Sequence, residues 1–391
     1  MAQLAPLDLS ALDAVTAPFG YSRTLPRDAY TSAALFDWEQ THLLVGAWVC
    51  VGRAGELASP GLQRGVLVGD QPVLVVCDRD ERLRGFANTC RHRGSELLAC
   101  GSTAVAGVIR CPYHAWTYGL DGRLRAAPGF RGRGDFDPSE LGLATVPVAT
   151  WGGWLFVNAD GKAAPLAAHL GRLVDLLAGY SPERLVVAAE HDYLVAANWK
   201  VVAENYHECY HCSSIHPELC VVSSPDSGGS DEADGTWTGG WMALRDGADT
   251  MSLSGRSAGV PLPDLEDEAR RVVRYVDLVP GLLISAHPDY VLTHRLEPVA
   301  VDATRVVCQW LYPPEAITQP GFDPADTVEF WDTTNRQDWL ACERVQRGLR
   351  SRGYRPGPLS SEETSVYRLL CLLADAYRCG RLRPRRAAAP A

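Results

Sequence analysis

No run of 18 or more apolar residues occurs in this 391-residue sequence, so no segment reads as a membrane span. The first thirty residues also lack a basic stretch followed by an apolar one. They carry acidic, proline and polar positions instead, and no signal peptide is expected. Positive charge is in deficit: 37 Lys and Arg stand against 47 Asp and Glu, a formal net charge of −10. A nucleic-acid partner needs a positive footprint and is therefore not expected. There is no G-x-G-x-x-G after a strand pattern and no C-x4-C-x2-C run, so flavin, nicotinamide and plant-type iron–sulfur modules are not encoded. No internal repeat is found.

The remaining composition, 46% hydrophobic and 21% charged, suits a globular chain long enough for two domains with separate cores. Residues 1–45 are helical in pattern, with Ser32 as a cap before Ala33, Ala34, Leu35, Phe36 and Trp38. Short β-rich runs follow, such as Val73–Cys77, Val108–Arg110 and Trp154–Val157, separated by turn pairs such as Asp121-Gly122; residues 46–160 read as a small all-β domain. Residues 164–180 read as a helix on the spacing of Leu166, Leu170, Leu173, Leu176 and Leu177. Beyond it, Leu282–Ser285, Tyr290–Val299 and Thr304–Tyr312 read as consecutive antiparallel strands. A helix is expected from about Ala325 to Arg350, and another after a Ser360/Glu363 capping box. Residues 161–377 are thus an α+β domain. Ser223 to Gly240 reads as a loop, and 378–391 as a frayed or disordered tail.

Twelve cysteines without an export signal point to a reduced, cytoplasmic protein, and Cys50, Cys77, Cys308, Cys342 and Cys371 sit in apolar stretches as small buried hydrophobes. Two others stand at ligand spacing. Cys90-Arg-His92 is followed, after eighteen residues, by Cys111-Pro-Tyr-His114. Two Cys–His pairs suit a [2Fe–2S] cluster with thiolates on one iron and neutral imidazoles on the other, which makes it easier to reduce than an all-thiolate cluster. The competing structural zinc site pairs Cys with Cys and His with His, whereas each loop here offers one of each.

The stretch Cys90-Arg-His-Arg-Gly94 with Cys111-Pro-Tyr-His-Ala-Trp-Thr-Tyr-Gly-Leu-Asp-Gly122 resembles the Rieske domain of ring-hydroxylating oxygenase large subunits. It is less similar to the respiratory-chain Rieske protein, which has two further, disulfide-bonded cysteines where this chain has Ser95 and Tyr113. The resemblance covers roughly residues 30 to 375. It implies an α+β architecture in which an all-β Rieske domain is joined to a helix-grip, antiparallel-sheet catalytic domain, with the N-terminal segment packed on the latter.

A second signal lies in Asn198–Pro217. His207-Glu208-Cys-Tyr-His211 satisfies the H-E-x-x-H pattern of zinc peptidases, but the metzincin continuation fails at Ser214 and Pro217. His211 and His216 alternatively supply two imidazoles for a non-heme Fe(II), a reading supported by an electron-supplying cluster upstream. Such iron takes two histidines and one carboxylate on a single face, leaving positions open for O2 and substrate. The resemblance singles out Asp338 as the carboxylate, with Asp332 and Glu343 as fallbacks. It further implies that Glu208 bridges His211 to the cluster ligand His114 of a neighbouring subunit, a contact that orients ligands. Asn205 is a candidate hydrogen-bonding group near the iron. His207 is expected on the helix surface or behind the ligands, facing away from the metal. His42, His169, His191, His287 and His294 receive no role.

Electrons must come from NAD(P)H through a separate flavin- or ferredoxin-type reductase. The family's head-to-tail contact implies a homotrimer, with no indication of a small β subunit. The run Glu208-Cys-Tyr-His-Cys-x3-His-Pro217 looks most like the branch that acts on glycine betaine, stachydrine, carnitine and choline. The expected reaction is therefore N-demethylation of a quaternary ammonium compound, with ring hydroxylation of an aromatic acid as the alternative. An aromatic cage would hold such a cation; Trp237, Trp241, Tyr290, Trp310 and Trp331 are candidates, with 223–240 as a lid. A peptidase or a simple electron carrier leaves either the cluster motif or the C-terminal domain unexplained.

Overall fold

Among the described residues, eleven strands build the segment marked as β-rich. The structure is a computed structural model describing residues 4–130 and 134–385. It divides into two compact units, Glu39–Ala164 and Met1–Trp38 with Pro165–Ala391. The first unit has a five-stranded sheet in the order β5 (Thr103–Val105), β2 (Leu62–Val68), β3 (Gln71–Cys77), β4 (Leu83–Ala87), β9 (Thr145–Val146). Its central β3 is buried on both faces, which explains the unbroken apolar run there. Val73 and Val75 pack with Val66, Val68, Leu155 and Val157, whereas Leu74 and Val76 pack with Phe86, Trp116 and Tyr118. Each such side chain, fully buried, contributes about 1.5–3 kcal/mol. β1 (Val49–Arg53), β11 (Trp154–Val157) and β10 (Val148–Trp151) form one three-stranded sheet. β6 (Ile109–Arg110), β7 (Thr117–Tyr118) and β8 (Leu124–Ala126) form another.

The second unit is a seven-stranded antiparallel sheet. Its order is β12 (Val186–Val195), β18 (Ala303–Tyr312), β17 (Val291–Ala300), β16 (Leu282–Ala286), β15 (Val272–Leu278), β14 (Trp237–Ala243), β13 (Gly229–Ser230). The registers Tyr275↔Ser285, Asp277↔Leu283 and Leu283↔His294 put these residues on one face with Gly240 and Met242. The 25-residue helix α7 (Ala325–Leu349) buries Phe330, Trp331, Thr334, Asn335, Cys342, Gln346 and Leu349, a stripe at helical spacing. Asp338 falls on that stripe. Glycine N-terminal to the catalytic sheet shortens what periodicity suggested: the helix expected over 164–180 is interrupted at Gly171, whose φ of +49° breaks it into α2 (Leu166–Leu170) and α3 (Leu173–Leu176).

The N-terminal segment reaches Trp38 with the second unit, its α1 (Ala33–Trp38) capped as expected by Ser32 Oγ, which accepts from Leu35 N–H at 3.2 Å. It is fastened to α8 (Thr364–Cys379) by Tyr367 donating to the Ala17 carbonyl at 3.0 Å. Three expectations need correction. The capping box before α8 is half formed: Glu363 accepts from Ser360 N–H at 2.5 Å, but Ser360 Oγ takes the Glu362 N–H and the helix starts only at Thr364. The stretch 223–240 is not all loop, because Gly229–Ser230 and Trp237–Gly240 pair as strands. The tail is ordered through Arg385, whose backbone exchanges hydrogen bonds of 2.8 and 2.7 Å with Gly235; 386–391 lie outside the described residues. No described helix is long and apolar enough to cross a membrane.

Candidate metal centres and substrate cavity

In the β-rich unit, the two Cys–His segments fold as the same turn. The Cys90 carbonyl accepts from Gly94 N–H and its own N–H donates to Ser95; Cys111 does the same with Ala115 and Trp116. The fifth residue of each turn is left-handed, Gly94 at φ +72° and Ala115 at +60°, so glycine relieves strain in one loop but not the other. The thiols are buried and the imidazoles half-buried. His92 and His114 lie with ring centroids 4.7 Å apart, and His92 stacks on Trp116 at 5.0 Å. Burial opposes ionisation of Cys111, yet the N–H groups of Tyr113 and His114 turn towards it and carry its pKa below the ordinary thiol value. Tyr118 Oη stands 3.3 Å from Cys90 Sγ and accepts from Arg91 N–H. Two thiols and two imidazoles converging from twin turns fit a [2Fe–2S] cluster with mixed ligation.

In the other unit, α4 (Trp199–Tyr206) is capped by Asn198, whose side chain accepts from Lys200 N–H. It ends before His207. The chain then turns through Cys209–His211 into α5 (Cys212–Ile215) and α6 (Pro217–Val222). His207 and His211 therefore do not share a helical face, and the peptidase pattern has no geometric basis. Nor is His207 on a surface: it is buried, with Nε2 3.5 Å from Asp277 Oδ2 on β15. Burial pushes the Asp277 carboxyl up, against the pull of His207.

His211, His216 and Asp338 do meet. Asp338 Oδ1 lies 3.0 Å from His216 Nε2 and 3.3 Å from His211 Nε2, and the two rings are 5.1 Å apart. Each remaining ring nitrogen is held: His211 Nδ1 by Glu208 Oε1 at 2.5 Å, His216 Nδ1 by Gln337 Oε1 at 2.7 Å. Gln337 turns its amide N–H toward Glu218 Oε2 at 3.2 Å, so its oxygen is the end left for the imidazole. Both histidines thus turn Nε2 toward one carboxylate oxygen, which is the two-imidazole, one-carboxylate set suited to Fe(II). Burial would raise the Asp338 pKa, but the imidazoles hold it down to about 2. Burial would lower that of His211, but Asp338 and Glu208 push it up to about 10. Coupled shifts of this kind in one buried cluster mark a candidate functional site.

Of the fallbacks, Asp332 is engaged by Tyr193 Oη at 2.6 Å and Arg336 at 2.7 Å, and Glu343 by the Ala196 N–H at 3.3 Å; neither reaches the histidines. Cys212 is close to both imidazoles but is joined to Cys209 as a disulfide, so it has no thiolate to give. That disulfide corrects the expectation of an all-thiol chain: residues three apart are brought together by the turn after α4.

The three ligand-type residues open onto a cavity of about 490 Å³. Asn205 and Glu208 line it, as do Trp241 and Trp331 of the expected cage. Trp237, Tyr290 and Trp310 do not. They are buried elsewhere, Tyr290 donating to the Met251 carbonyl and accepting from Trp331 Nε1. Tyr206, Tyr275, Trp339 and His294 take their place. Tyr206 and Trp339 are chain neighbours of motif residues, a signal that was available; Tyr275 and His294 are placed only by sheet register. His294, given no role above, donates from Nε2 to Asn335 Oδ1 at 3.0 Å. Of the suspected lid, Pro225–Ser230 faces the cavity.

A family model described as the ring hydroxylating alpha subunit (catalytic domain) matches residues 182–378, and one described as the Rieske [2Fe–2S] domain matches 47–147. The chain is 31% identical over 374 residues to the glycine betaine monooxygenase oxygenase subunit of Pseudomonas aeruginosa, covering 87% of this chain and 85% of that protein. It is 31% identical over 335 residues to the carnitine monooxygenase oxygenase subunit of Acinetobacter baumannii, covering 85% and 86%. A solved quaternary ammonium Rieske monooxygenase, described in terms of carnitine oxidation and inter-subunit electron transfer, superposes with a TM-score of 0.79 at 25% identity. The match spans 96% of this chain and 100% of that one.

Proposed function

The chain belongs to the Rieske non-heme iron oxygenases, and on that premise we propose that it hydroxylates an N-methyl group of a quaternary ammonium compound, releasing formaldehyde. It is the oxygenase subunit of a two-component system, taking electrons from a separate reductase. When bound, the [2Fe–2S] cluster supplies one-electron transfer and the mononuclear iron supplies O2 activation. The observation that carries the substrate class is the convergence of His211, His216 and Asp338 on a cavity walled by Trp241, Trp331, Trp339 and Tyr275. Aromatic faces attract a cation that has no N–H to donate.

Cys90, Cys111, His92 and His114 would hold the cluster, and His211, His216 and Asp338 the single iron. Glu208 and Gln337 keep the imidazoles in the tautomer that exposes Nε2. The reaction balances as R–N(CH3)3⁺ with O2, two electrons and two protons giving the N-hydroxymethyl cation and water. That hemiaminal loses a proton and formaldehyde, leaving the dimethylamine. A homotrimer in which Glu208 links His211 to a neighbour's His114 is supported by the half-buried His114 ring and by the inter-subunit transfer described for the structural relative. Ten free cysteines favour a cytoplasmic setting.

The test is a single turnover: the purified protein is reduced chemically, freed of reductant, and mixed with O2 and a panel of quaternary amines. Formaldehyde that depends on the amine is the expected result. Cluster reoxidation triggered by an aromatic acid, with no formaldehyde from any amine, would instead establish ring hydroxylation.

A further inference from the structure

We infer that the substrate is a net organic cation with an apolar body and no carboxylate, unlike the zwitterions glycine betaine and carnitine. This rests on the demethylation reading above and deepens it. Among the described residues, no lysine or arginine lines the cavity. Its carboxylates are Asp338 and Glu208, both held to imidazoles, and Asp226 and Glu362, which are exposed at the open end. With the N-methyl group at His211, His216 and Asp338, a carboxylate at the far end of the substrate would meet acidic or neutral groups only.

The imidazoles do not alter this. His294 is buried, its Nε2–H already donating to Asn335, and burial lowers its pKa to about 4, so the ring is neutral. His207 faces the Asp277 carboxylate at 3.5 Å and so already has an acidic partner. Several of the hydroxyl donors are engaged too, although the Trp339 indole N–H on the wall has no partner among the described residues. Ser227, Thr334 and Ser365 donate to backbone carbonyls, Tyr275 to Met251 Sδ, and Tyr206 pairs with Ser285. A buried carboxylate without a positive partner is disfavoured, since a lone neutral N–H does not replace a counter-charge, whereas a cation meets aromatic faces and two rim carboxylates.

Size points the same way. A cavity of about 490 Å³ lies within the range, about 300–1,000 Å³, that encloses drug-sized ligands. Glycine betaine, a handful of heavy atoms, would leave most of it empty. Val202, Leu219, Met242 and Leu283 make the remaining wall apolar.

The experiment compares benzyltrimethylammonium with its twin carrying a para-carboxylate, alongside glycine betaine and L-carnitine. Formaldehyde yield and kcat/KM are measured on the holoenzyme with its reductase. At least a tenfold preference for the benzyl cation over its carboxylated twin is expected. Asp226→Lys with Glu362→Lys, both at exposed positions, should narrow that preference by raising KM for the cation. Equal or better turnover of the carboxylated twin, of glycine betaine or of L-carnitine overturns the inference while leaving demethylation intact. A preference untouched by the rim substitutions also overturns the electrostatic argument. Formaldehyde from none of the four compounds removes the demethylation reading, and this inference with it.

Discussion

Replacing Gln337 by leucine tests whether the iron site depends on a residue that touches no metal. Gln337 Oε1 accepts the His216 Nδ1 proton at 2.7 Å, in a place where the His216 side chain is only 2% exposed. Leucine fills a similar volume but accepts nothing, so that N–H is left buried and unpaired at a cost of about 1–3 kcal/mol. The imidazole can recover its hydrogen bond only by rotating or by changing tautomer, and either withdraws the Nε2 lone pair from Asp338. The free-energy cost corresponds to a loss of metal affinity of roughly 5- to 150-fold at about 1.4 kcal/mol per decade, in line with the roughly 10–100-fold typical of such supporting contacts. A chelator competition read by iron content, with cluster absorbance as internal control, measures it. Expected is weaker mononuclear iron and an unchanged cluster spectrum. Unaltered iron affinity in a folded Gln337→Leu protein would refute the reasoning, since the tautomer would then be set by something else.

Asp338→Ala should leave the cluster spectrum intact while total iron falls from three to two per chain and turnover is lost. Glu208→Gln should keep both metals and slow cluster reoxidation in a single turnover, because its carboxylate sits on His211 at 2.5 Å; normal turnover in either variant removes that residue from the site. Trp241→Ala should raise KM for a bound cation by roughly 2- to 30-fold, the equivalent of about 0.5–2 kcal/mol of cation–π attraction, with kcat little changed. Glu204 gives a stability signature. Burial pushes its pKa up to about 7 from 4.5, against the Tyr30 hydrogen bond at 2.8 Å. The folded state therefore binds more protons than the unfolded one, and the resulting stabilisation is complete below pH 4.5 and lost as pH rises through about 7. At about 1.4 kcal/mol per pH unit it amounts to about 3 kcal/mol. Glu204→Gln should flatten that part of the urea-midpoint profile, and a slope that persists would assign it to another group.

The metal chemistry was legible because its candidate ligands are mostly local. A Cys and a His two or three residues apart come from one turn, and His211 and His216 from one bend, so spacing alone carries the geometry. The long amphipathic helix α7 and the three consecutive strands were legible for the same reason, since periodicity is a short-range property. Asp338 was reached through resemblance, although its place on the stripe of Thr334, Asn335 and Cys342 would also have separated it from Asp332 and Glu343. What remained hidden lies across long separations. Asp338 meets His216 over 122 residues, and Gln337 joins it because α7 packs beside α6. The cavity's aromatic wall depends on the register of β14 to β18, which puts Tyr275 and His294 on one face and Trp237 on the other; Trp310 shares the face of Tyr275 but is buried with Tyr290 in the core further along it. A one-residue slip of β15 or β17 would turn Tyr275 or His294 to the opposite face without changing the composition of a single strand. Local spacing therefore specified which metals the chain can hold, whereas side-chain direction across the sheet, a property of the folded pairing alone, decided what can sit beside them.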